Sequence, residues 1–222
     1  MKSSALRARI ALMVVVALLA LPGAQLAPQV AAKPQPRPIT RTFNNSNDIQ
    51  LPLPNTKVGE PVSALLYPSA IQVSGMPGKV RDVNLTLNNF NHTYPREVEV
   101  LLVGPGGQTA VLMAWVGGGE DIAGVNLRLD DEAQAPLPEL EDIELQSGAY
   151  WPVNGSSGII EFNTPAPPVT RANAGLAIFD GTDRNGTWRL FVQDRYALAE
   201  TGAFNGGWEL EIQTQVKARK KR

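Results

Sequence analysis

Hydrophobic residues recur at every second position along most of the chain: Ile71 and Val73; Val83, Leu85 and Leu87; Val98, Val100 and Leu102; Val125, Leu127 and Leu129; Trp188, Leu190 and Val192; Trp208, Leu210 and Ile212. A period of two sends these side chains to one face of an extended strand. The residues between them are polar, as with Asn84 and Thr86, Glu97 and Glu99, or Glu209 and Glu211. One face of each sheet is therefore expected to meet water. Turn-forming clusters separate the runs: Met76-Pro77-Gly78, Gly104-Pro105-Gly106-Gly107, Gly117-Gly118-Gly119, Asn185-Gly186 and Asn205-Gly206-Gly207. Short strands at this spacing predict an all-β fold, a β-sandwich forming a single domain. Between Asp130 and Phe162 the alternation gives way to Pro, Gly and acids, which predicts a long loop excursion, decorated or poorly ordered. No segment predicts a helix of substantial length.

Composition sharpens this picture. In 222 residues there are 20 Gly and 18 Pro, many turns, while 43% hydrophobic residues suffice for a core. Between residues 33 and 216 there are 12 Lys and Arg against 21 Asp and Glu, a net charge near −9, which argues against nucleic-acid binding. The absence of Cys and the single histidine, His92, exclude disulfides, thiol nucleophiles and Cys/His zinc sites. A Ser-His-Asp triad has only His92 to draw on.

The N-terminus reads as an export signal. Lys2, Arg7 and Arg9 precede twelve apolar residues, Ile10 to Leu21, closed by Pro22-Gly23. Val30-Ala31-Ala32 offers a cleavage site, with Ala24 and Ala27 as alternatives, so residues 1–32 are expected to be a signal peptide and the mature chain to be secreted or extracytoplasmic, with no transmembrane segment after cleavage. Residues 33–40, with the Pro-rich run Lys33 to Pro38, are expected to be an extended linker. The domain is expected to span 41–214. A basic tail, 215–222, carries Lys217, Arg219, Lys220, Lys221 and Arg222; it reads as a solvated end, with attachment to an anionic envelope or an acidic partner as the alternative.

One ordered set of motifs is recognisable. Tyr67-Pro68-Ser69, Val73-Ser74-Gly75, Val80 to Leu87, Asn91-His92-Thr93-Tyr94-Pro95, Val98 to Val103 and Gly104-Pro105-Gly106-Gly107 are followed by Leu129 to Ala133, Phe179-Asp180-Gly181, Asn185 to Leu190, Asp194, Thr201-Gly202 and Gly207 to Leu210. In this order they resemble the P domain of subtilisin-like proprotein convertases, over about Arg41 to Thr214. The resemblance implies a jelly-roll, galactose-binding-like β-sandwich. In the convertases this domain follows a subtilisin catalytic domain and supports its folding and calcium dependence. Here no Gly-x-Ser-x-Gly elbow is present, Gly155-Ser156-Ser157-Gly158 having the wrong spacing. The chain departs from the family at Arg96-Glu97-Val98-Glu99 and Glu200-Thr201-Gly202, where the family has shorter Asp side chains.

Candidate chemistry is sparse. His92, in an Asn-rich turn, reads as a loop-tying side chain, with general base as the alternative. Asp130, Asp131 and Glu132 follow a strand, and Asp183 lies in a later turn; acidic loops of this kind can supply oxygen ligands to calcium, so Asp130, Asp131 and Asp183 are the expected calcium ligands, with a strand end and a hairpin turn as the alternatives. Trp188 and Trp208 share the phase of their aliphatic neighbours and belong to the core; Trp115 and Trp151, beside Gly- or Pro-rich loops, are candidates for an exposed platform. Asn44, Asn84, Asn91, Asn154 and Asn185 each begin an Asn-x-Ser/Thr acceptor. Three functions follow as expectations: a non-catalytic module binding another exported protein and stabilised by calcium; an accessory to a separately encoded subtilisin-like serine protease; and a carbohydrate or surface adhesion module.

Overall fold

A computed structural model describes residues 37–52, 60–169, 175–196 and 201–215. The expected signal peptide, Glu200 and all but the first residue of the basic tail lie outside the described residues. Two sheets face each other with a shared core, so the expected all-β sandwich is what forms. Among the described residues no helix is long and apolar enough to cross a membrane.

The first sheet is built around β5 (Lys79–His92). Leu85 and Leu87 pair with both β13 (Trp208–Gln215) and β8 (Ile122–Leu129), so those strands lie on opposite edges of β5. Farther along, β12 (Gly202–Phe204) takes over the β13 side and carries β2 (Ile49–Leu51), while β1 (Pro38–Asn45) flanks β13. Pro38, Ile39 and Thr40, expected in the linker, are thus the first residues of β1. The second sheet runs β10 (Val153–Asn154), β7 (Thr109–Ala114), β6 (Val98–Val103), β11 (Gly186–Asp194), with β3 (Val62–Ser63) and β4 (Ser69–Val73) both paired to β11. Trp188 and Trp208 are fully buried between the sheets, and each indole N–H is satisfied, by Arg184 O at 3.0 Å and by Ser69 Oγ at 2.9 Å. Core packing is therefore their role.

The excursion after Asp130 is ordered by both sheets. It contributes β9 (Gly148–Tyr150), parallel to β8, and β10, parallel to β7. It then lays Ile160, Phe162 and Val169 over the outer face of the second sheet, against Leu101, Val103, Val111, Ala114 and Phe191. Every residue of β6 and β7 is buried. This corrects the expectation that one face of each sheet meets water: Glu99 has no exposure, whereas Glu209 on the first sheet is exposed. The third layer is assembled from isolated apolar residues in a Pro/Gly-rich loop, which carry no periodicity.

Candidate functional site

Polar chemistry gathers at the ends of β5 and β11. β5 delivers His92 and β11 delivers Asp194 into the interior, where His92 Nε2 lies 3.1 Å from Asp194 Oδ2 and both side chains are essentially without solvent exposure. The backbone N–H of Tyr94 donates to His92 Nδ1 at 2.9 Å. An accepting Nδ1 carries no proton, so the proton sits on Nε2 and is donated to Asp194. Asp194 Oδ1 in turn accepts the Tyr196 N–H at 3.1 Å. Both ring nitrogens are thus engaged within the protein, and His92 ties the Thr93-Tyr94-Pro95 turn to β11, as the sequence led one to expect. The Gly202 position has a physical reason here: a Cβ on it would stand 2.1 Å from His92 Cδ2, so only glycine lets β12 lie against the imidazole.

On the opposite face of β11, Glu99 Oε2 accepts from Gln193 Nε2 and Oε1 from Arg195 Nη1, each at 2.7 Å. Burial pushes the Glu99 carboxyl above its ordinary range, against the lowering by Gln193 and Arg195. Arg195 also covers the Trp115 ring, 4.7 Å from its centroid, and Tyr196 meets that ring edge-on at 5.7 Å. Trp115, expected as an exposed platform, is therefore committed to this network. Sequence reasoning missed Glu99 by placing it in solvent. The signal was present in the near-continuous apolar runs around it, Val100 to Val103 and Ala110 to Ala114, the mark of strands buried on both faces.

The expected calcium ligands have other partners. Asp131 reaches across to the 3-10 helix Leu176–Phe179, where its Oδ1 accepts Leu176 N–H at 3.0 Å and its Oδ2 accepts Ala177 N–H at 2.8 Å. Asp130 accepts Glu132 N–H at 2.9 Å and Arg128 Nε at 3.1 Å. Asp183 is exposed and paired with Lys79 at 2.9 Å, which lowers its pKa. Among the described residues no three His, Cys, Asp or Glu side chains are grouped as a metal site. As placed, Asp130, Asp131 and Asp183 are each engaged with these partners and are not gathered into one such group. Around Asp131 the carboxylates of Asp82, Glu132 and Asp180 nevertheless form an acidic end of the sandwich. Burial first, and repulsion by their neighbours second, raises the pKa of each.

Among the described residues, two of the surface clefts hold apolar side chains beside carboxylates. One, of about 910 Å³, has Leu51, Leu65, Ile122, Ala203, Asp121 and Glu144 in its lining; Leu65 is 74% exposed. The other, of about 600 Å³, has Trp151, Pro152, Glu139 and Asp131 in its lining.

No family model matches the chain. No protein of described function matches either. Among solved structures, this chain is similar to the serine protease of Aeromonas sobria (12% identity, TM-score 0.40) and to a chain of the complex of that protease with its chaperone (13% identity, TM-score 0.41). In both comparisons 83% of this chain is covered and 28% of the other, so it spans little more than a quarter of their length.

Proposed function

We propose that this chain is an exported, non-catalytic binding module whose partner is another exported protein, a subtilisin-like serine protease being the favoured class. The carrying observation is the state of His92. General base catalysis needs a ring nitrogen within reach of a nucleophile's proton, and here one nitrogen receives the Tyr94 N–H while the other donates to buried Asp194. What the surface offers is contact: Leu65, Leu140 and Ile159 are large apolar residues more than half exposed. The protease class is supported by the motif order shared with convertase P domains.

The test uses the mature chain with its tail. Immobilised, it is expected to retain a subtilisin-family protease from the same exported fraction, to release no product from peptide substrates, and to resist a serine-directed phosphonate. Hydrolysis accompanied by phosphonate labelling of the purified chain would overturn the non-catalytic reading. Recovery of envelope components alone would overturn the protease assignment.

A further inference from the structure

Asn-Gly pairs occur at Asn154-Gly155, Asn185-Gly186 and Asn205-Gly206. In such a pair the glycine backbone nitrogen can close a five-membered ring on the asparagine side-chain carbon, since no Cβ on the glycine hinders the approach. The fold decides whether it does: the attacking nitrogen has to be free of a hydrogen bond, and the side chain free to turn onto it. Two of the pairs fail. Gly155 N–H donates to Ala114 O at 2.9 Å, while the buried Asn154 amide donates to Gly158 O and accepts from Ser156 N. The Asn185 amide is clamped at both ends by the backbone N–H and C=O of Met76, at 3.1 and 3.0 Å. Asp180-Gly181, which closes the same ring with loss of water, has its nitrogen tied to Val80 O at 2.8 Å.

Asn205-Gly206 meets both conditions. The two residues form the centre of the turn between β12 and β13, closed by Gly207 N–H donating to Phe204 O at 3.1 Å. Asn205 is exposed, and Gly206 N–H has no acceptor among the described residues. Asn205 Oδ1 accepts from Gln50 Nε2 at 2.9 Å, a bond that need not break as the adjoining carbon is attacked, the donor then facing the developing oxyanion.

We propose that Asn205 is a site of spontaneous modification in the folded domain, converting without an enzyme to isoaspartate and aspartate. Gly206 N loses its proton and bonds to Asn205 Cγ; the Cγ–Nδ2 bond breaks and ammonia leaves with that proton. Water then opens the succinimide, at the backbone carbonyl to give isoaspartate or at Cγ to give aspartate. Either product puts a carboxylate where a neutral amide stood in the lining of the cleft that holds Leu51, Leu65, Asp121 and Glu144, and isoaspartate also lengthens the turn's backbone by a methylene. This chemistry is independent of which partner the module binds.

The experiment incubates the mature chain at neutral pH, folded and in guanidinium chloride, then maps its peptides by mass and assigns isoaspartate by enzymatic methyl transfer. In the folded chain the Asn205 peptide is expected to gain about 1 Da, and to gain isoaspartate about tenfold or more faster than the Asn154 and Asn185 peptides, whereas in denaturant the three should convert at similar rates. Because the attacking amide has to lose its proton, the folded-state rate should rise about tenfold or more between about pH 6 and pH 8. Asn205→Gln, which would need a six-membered ring, should form no isoaspartate at this position, and an unchanged melting temperature shows that it is folded. Equal rates at the three sites in the folded chain, an Asn205 product free of isoaspartate, or an Asn205 that stays an amide while the denatured chain converts would each overturn the proposal. A preference for Asn205 that persists in denaturant would overturn it too, by tracing the selectivity to local sequence instead of the fold.

Discussion

Replacing Asp131 with alanine is expected to destabilise the domain equally in calcium and in chelator. Its carboxylate accepts two backbone N–H groups, at 3.0 and 2.8 Å, from the first turn of the 3-10 helix Leu176–Phe179, 45 and 46 residues away in sequence. Hydrogen bonds to a charged group contribute about 1.5 to 3 kcal/mol each, and loss of a helix N-cap costs about 0.5 to 2 kcal/mol. Asp131 is half-buried, so the lower ends apply, and Asp131→Ala should cost about 2 to 3 kcal/mol. In a domain of this size that lowers Tm by roughly 5 to 10 °C. Asp131→Asn keeps one acceptor but turns an amide N–H₂ toward the other donor, so it should lose about half as much. Thermal unfolding with calcium, with magnesium at equal ionic strength and with chelator tests this directly. A wild-type melting temperature for Asp131→Ala in chelator, with a deficit only in calcium, would refute the capping role and restore Asp131 as a metal ligand.

His92→Ala leaves the buried Asp194 without its ring N–H donor and the Tyr94 N–H without an acceptor, so it should cost about 3 to 5 kcal/mol by urea denaturation; a loss under 1 kcal/mol would show the pair to be dispensable. Arg195→Ala strands the Glu99 carboxyl, whose folded pKa is already above its unfolded value; the native state then binds the extra proton, so the deficit should be largest at pH 7 and shrink as pH falls toward the ordinary carboxylate value, with Trp115 emission shifting as its cover is lost. A deficit independent of pH would refute that coupling. Asp82, raised by burial and by Asp130, contributes stability that is present below its unfolded pKa and lost as pH rises through its folded pKa, so Asp82→Asn should raise Tm at pH 7 and low salt, with the gain vanishing below about pH 4 and only reduced in 1 M salt, which screens Asp130 but not the cost of burial. A gain that survives below about pH 4 would come from something other than charge.

Alternation at β5, β8, β11 and β13 was legible because period two is a local property: whichever partner a strand finds, Leu85 and Leu87 share a face, as do Trp188, Leu190 and Val192. The same locality made the turn at Asn91 to Pro95 readable, including His92 as its tie. The β-class, the inter-sheet face of these strands and the turn chemistry are therefore legible in the sequence, all being set by residues a few positions apart. Only folding shows that Glu99 is buried beneath the excursion, that Asp131 accepts the N–H groups of the 3-10 helix, and that Trp115 is covered while Trp151 stands open. Glu99 meets its arginine 96 positions away and Asp131 its N–H donors 45 and 46 away. A carboxylate looks the same in sequence whether its neighbour in space is water, a cation or a backbone N–H. Burial and partner, which set its energy, exist only once the chain has folded back on itself.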